Sequence, residues 1–91
     1  MIHPSAETDA ELMLSQPIVA DGDIQFSAFR PGWGFCSYVL PAGVAVQRLG
    51  AKDFSASQLR LAFQSNRQRI ATAVVAHGAR DAARPVILSS V

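Results

Sequence analysis

Two alternating apolar runs, at residues 24–29 and 35–40, constrain the fold of this chain more than any other feature. Alternation with period two is the mark of a half-buried strand. Between them lies Arg30-Pro31-Gly32-Trp33-Gly34. Proline presets φ for a type II turn, and glycine takes the positive φ that follows it. Pairing Phe29 with Phe35 puts Ala28 opposite Cys36, Phe26 opposite Tyr38 and Ile24 opposite Leu40. Those six share one apolar face. The other face pairs Ser27 with Ser37 and Gln25 with Val39. A slip of one residue would mix the faces, so this register is the expected one.

The remaining segments fit around that hairpin. Asp21-Gly22 follows the short run Pro17 to Ala20 and signals a second tight hairpin turn. Pro41 to Leu49 reads as a short helix, at about residues 42–49, with Pro in its first turn and Gly50 as its stop. Ser55-Ala56-Ser57-Gln58 is a capping box, with Phe54 and Leu59 placed for a hydrophobic staple. It opens a long helix at about residues 56–77, stopped by Gly78. Leu59, Phe63, Asn66, Ile70, Ala73, Val74 and His77 follow helical spacing and are expected mostly to face the core. Pro85 precedes a final strand at about residues 86–90. The fold class is therefore α+β: a small, mostly antiparallel sheet packed by a short and a long helix. Residues 17–91 form one domain, and residues 1–16 a polar, acidic arm whose order is left open. A chain of 91 residues suits one core, and its single cysteine excludes an intrachain disulfide framework.

The second half resembles a small proteobacterial family of short α+β proteins, the domain of unknown function numbered fourteen eighty-eight. The likeness spans residues 24–90 and rests on the two-strand unit, on Gln47-Arg48-Leu49-Gly50-Ala51, and on Leu59 to Ile70. Within the last stretch, Phe63, Arg67 and Ile70 match a Phe-x-x-x-Arg-x-x-Ile pattern. The chain departs from that family in lacking its short aromatic opening. The resemblance implies a fold and supplies no catalytic residue.

Charge is distributed unevenly. Residues 1–29 carry five acids and no base, whereas residues 30–91 carry all eight bases against Asp53 and Asp81. Either the two parts lie together, or both are solvated, or the basic part meets an acidic partner. The N-terminus has no basic start followed by an apolar run, so no secretory signal is expected. No stretch approaches the roughly 20 apolar residues of a membrane helix. The expectation is a soluble, cytoplasmic protein that does not engage a membrane.

No constellation points to catalysis, and the chain is expected not to be an enzyme. Cys36 and His77 are a conceivable nucleophile and base, but Cys36 falls on the core face of the hairpin. His3, Cys36 and His77 lack ligand spacing, so no metal is expected. Asp21 and Asp23 flank a turn glycine, and Glu7 and Glu11 sit on a solvated segment. Gly32-Trp33-Gly34 joins two antiparallel strands, whereas a phosphate cradle must lead into a helix. No cofactor is expected.

Two surfaces remain. Phe29, Trp33 and Phe35 gather on the sheet face away from the helices. That cluster is either a contact patch for an unidentified protein or a second copy, or it is covered by the N-terminal arm or the last helix. The leading expectation is a non-enzymatic interaction or regulatory module using those three aromatics. The alternative is weak electrostatic binding of nucleic acid through Arg60, Arg67 and Arg69. Arg67 has a second reading, as an anchor of the helix to a carboxylate or a backbone carbonyl.

Overall fold

The computed structural model describes residues 12–31, 34–77 and 85–91. Gly32 and Trp33 of the expected turn, the expected helix stop at Gly78, and residues 1–11 of the expected arm lie outside the described residues. The elements run β1 (Met13–Leu14), β2 (Ile18–Ala20), β3 (Asp23–Arg30), β4 (Gly34–Leu40), α1 (Ala42–Arg48), α2 (Ala56–Ser65), α3 (Arg67–His77) and β5 (Val86–Ile87). They form a small α+β fold. β1 and β2 lie on one side of β3, with β4 and then β5 on the other.

The hairpin of β3 and β4 has the register that the side-chain alternation demands. Ile24 faces Leu40, Phe26 faces Tyr38, Ala28 faces Cys36, and Phe29 faces Phe35. The first three pairs are all buried. The turn between β2 and β3 puts Asp21 at φ 54° and Gly22 at φ 83°. Positive φ at both central positions matches the right-handed twist of the flanking strands.

β1 and β2 are one edge strand broken by a bulge. Ser15 N–H donates to the Ser27 carbonyl at 2.8 Å, and Ile18 lies opposite Gln25. Gln16 and Pro17 therefore share the space opposite Phe26 alone. Proline has no N–H to give a ladder, and a bulge is where an edge strand tolerates it. Through β1, the sheet takes in Met13 and Leu14 from the segment read as an arm.

The expected long helix is two helices. Asn66 leaves helical geometry at φ −123° and ψ 27°, and its N–H reaches back to Phe63 O at 3.1 Å. Its side-chain amide donates to Ala62 O at 2.8 Å and to Leu49 O at 3.0 Å. Asparagine offers the backbone such local partners in place of the helical ladder. The carbonyls it satisfies belong to the C-terminal ends of α2 and α1, where intrahelical partners run out. Its own carbonyl then accepts from Ile70 N–H at 2.9 Å and starts α3.

The capping box forms by half. Ser55 Oγ accepts from Gln58 N–H at 3.4 Å. The Gln58 side chain instead accepts from Lys52 N–H at 3.2 Å, and Ser55 N–H donates to Asp53 Oδ1 at 2.9 Å. Hydrogen bonding from the Ser55 side chain, and then from its backbone N–H, holds the Asp53 carboxyl below its usual 3.8. Phe54 remains 64% exposed, so no staple closes over Leu59.

The final strand is shorter than the expected residues 86–90 and pairs parallel to β4. Leu88 turns into the core, and Arg69 Nη2 holds the Val91 carbonyl at 3.2 Å, so the chain leaves the ladder for α3. The core lies between the sheet and the helices. The Phe26 ring stacks on Tyr38 at 5.4 Å and meets the edge of Phe63 at 5.0 Å. Leu59, Ile70 and Val74 complete the helical side, while Ala73 is half-buried and His77 exposed.

Candidate functional site

The face of the sheet away from the core is built from cross-strand rows. Met13 lies opposite Phe29, and Phe29 opposite Phe35. Ile18, Gln25, Val39 and Ile87 form a second row. Between them runs a row of three serines, Ser15, Ser27 and Ser37, in which Ser15 Oγ also accepts from Ser27 N–H at 2.9 Å. Large side chains on both flanks and small ones in the middle leave a shallow groove of about 260 Å³. Its walls include Ser27, Ser37, Ile18, Val39 and Pro85.

The flanks are open to solvent. Met13 is 62% exposed, Ile18 63%, Phe35 69% and Ile87 56%. Phe29 is half-buried against Phe35, their ring centroids 4.9 Å apart at a tilt of 43°. Neither the described part of the N-terminal segment nor α3 covers Phe35. Trp33, the third aromatic of the expected patch, lies outside the described residues. Asp23 is the one ionisable side chain at an outward-facing position of the described strands. Its Oδ1 accepts from Ala42 N–H at 2.9 Å, satisfying an orphan donor at the start of α1. The middle of the face is therefore uncharged.

The arginines have different surroundings. Arg67 Nη2 donates to Leu14 O at 2.8 Å and Nη1 to Gln64 Oε1 at 2.9 Å. Its guanidinium also lies over the Phe63 ring, 5.4 Å from the centroid. This is the anchoring role, with a backbone carbonyl of β1 as the partner. It also gives the Phe63, Arg67 and Ile70 pattern a physical meaning: two core side chains and a clamp between them. Arg69 Nη1 donates to Arg48 O at 2.9 Å as well as Nη2 to Val91 O. The break at Asn66 puts Arg60 on α2 and the other two on α3.

Cys36 is buried on the core face and His77 ends α3 in solvent. His3 lies outside the described residues. Tyr38 is the buried polar exception: its hydroxyl has no hydrogen-bond partner among the described residues. Burial, with a smaller contribution from Cys36, raises its pKa above 10.0. No helix among the described residues is long and apolar enough to cross a membrane.

Met13, Ile18 and Ile87 extend the aromatic patch beyond what the sequence indicates. Their alternation is too short to read alone, because the edge strands have only two or three residues each. Comparison with protein-family models, curated proteins and solved structures gives no match.

Proposed function

We propose that this protein is a non-enzymatic interaction or regulatory module whose contact surface is the outer face of the sheet, centred on Phe29 and Phe35. The observation that carries this reading is the Phe29–Phe35 pair. Phe35 is 69% exposed beside it, on a hairpin whose other face already fills the core. Scattered apolar residues on a surface are ordinary, but contiguous ones of this size mark interfaces. Met13 extends this aromatic row, and Ile18, Val39 and Ile87 form a second apolar flank across the serine groove. Aromatic side chains are also the usual anchors of protein contacts. A cytoplasmic location belongs to the same proposal. The proposed likeness to the family numbered fourteen eighty-eight, over residues 24–90, brings no competing activity. No observation favours nucleic acid on the arginines, since Arg67 and Arg69 are held by the protein's own carbonyls.

The test is a photo-crosslinking residue placed at position 35 of the full chain in cells. The proposal expects a discrete protein adduct that is absent when the same group replaces exposed Arg60. Failure to form any adduct at position 35 would reject it.

A further inference from the structure

The helical side of the sheet carries a second concavity, independent of the outer face. We infer that the groove between β1 and α3 binds a linear monocarboxylic acid, its carboxylate on Arg67 and its apolar chain along α3. Leu14 lies opposite buried Ala28, on the core side of the sheet and away from Phe29 and Phe35. With Leu12 it forms one wall, and Ala71 and Val75 of α3 form the other. The cavity between them is about 450 Å³. Cavities that hold small ligands start at about 300 Å³.

The charge of the groove selects an anion. Arg67 is the one ionisable side chain among its described walls, and α3 has none from Ile70 to Ala76. The side-chain carboxylates of the described residues are Asp21, Asp23 and Asp53. Asp23 accepts from Ala42 N–H, Asp53 from Ser55 N–H, and none of the three is bonded to Arg67. The guanidinium instead donates to a neutral carbonyl and a neutral carboxamide. It has more donors than those two bonds use, and its planar fork matches a carboxylate. The exposed carboxamide of Gln68, next in the chain, adds a neutral donor beside it.

The walls select what the anion is attached to. They run in line from the charge, and α3 rises roughly 14 Å from Arg67 to Ala76. That length suits an extended acyl chain of medium length. A second carboxylate would lie against Leu12, Leu14 or Val75 with no cation to meet it, so dicarboxylic acids are excluded. Each CH₂ that enters such a groove is worth about fourfold in affinity.

Titration of the isotope-labelled full chain with octanoate, read by amide NMR, tests this. The expected result is saturable shifts at the Gln68, Ala71 and Val75 amides, with octanoate roughly tenfold tighter than hexanoate. Octanol and octylamine, the same chain without the carboxylate, should each bind about tenfold more weakly or worse, the worth of a charge-assisted hydrogen bond. Val75→Glu, at an exposed position, should keep the wild-type circular dichroism spectrum and lose octanoate affinity about tenfold or more. Absence of saturable shifts at those amides would overturn the inference. So would octanol binding as tightly as octanoate, or a folded Val75→Glu that binds as the wild type does. Phe35→Ser keeps the two surfaces apart. It should bind octanoate unchanged, since Phe35 lies on the other face of the sheet; a folded Phe35→Ser that loses octanoate would move the ligand to the outer face and overturn the groove. The position-35 crosslink tests the contact surface alone, so either reading can fail while the other stands.

Discussion

Arg67 shows how one side chain can join parts of the molecule far apart in sequence. It spans from the start of α3 to the Leu14 carbonyl of β1, over the ring of Phe63. A charge-assisted hydrogen bond and a cation–π contact are worth about 1–3 kcal/mol together at a partly buried site. Arg67→Ala is expected to lower the unfolding free energy measured in urea by that amount and to speed hydrogen exchange at the Ser15 amide of the neighbouring ladder. Arg67→Lys should recover little, because a point charge cannot reach Gln64 and Leu14 with a planar fork. Tyr38 makes a second prediction. An unsatisfied buried hydroxyl costs about 1–3 kcal/mol, so Tyr38→Phe should be neutral or stabilising in thermal unfolding. The unfolded chain releases the phenolic proton near 10.0, before the folded chain does. Tyr38 therefore favours the folded state below that pH, and its contribution is lost as pH rises through the folded value. The Phe variant should lose stability less steeply in alkali.

The elements differ in how much of them the sequence discloses, and the reason is the range of the interactions that define them. β3 and β4 were legible down to the residue pair, because period-two alternation over six residues makes only one register bury Ile24, Phe26 and Ala28 with Cys36, Tyr38 and Leu40. The Asp21-Gly22 turn was legible because only local φ decides it. The Phe29–Phe35 part of the candidate site follows from that same register. The break in the long helix was not legible, since Leu59, Phe63, Asn66 and Ile70 keep helical spacing across it. What breaks the helix is the Asn66 amide binding Leu49 O, a contact 17 residues away in the chain. The bulge at Gln16 and Pro17, the parallel pairing of β5, and the Asp23 carboxylate on Ala42 N–H are likewise tertiary facts. Asn66→Ala strips two carbonyls of their donor. It is expected to cost about 1–3 kcal/mol and to lower the thermal midpoint.

At the scale of the whole molecule, one face of the sheet packs the core and the other, the proposed contact surface, faces outward. Ile24, Phe26, Ala28, Cys36, Tyr38 and Leu40 look into the core, while Phe29 and Phe35 look out. The two sets should respond differently to truncation. Phe63→Ala removes a fully buried ring and is expected to cost about 3–5 kcal/mol. The outward pair contributes cross-strand contacts, Phe29 with Phe35 and Phe29 with Met13, of about 0.2–1 kcal/mol each. The measurement that separates folding face from contact face most directly is urea unfolding of Phe29→Ser/Phe35→Ser beside the wild type, at a concentration where both are single chains. The expected result is a folded variant whose unfolding free energy lies within about 2 kcal/mol of the wild type. A loss comparable with that of Phe63→Ala, or a variant that does not fold, would show that Phe29 and Phe35 belong to the core and would contradict the contact surface.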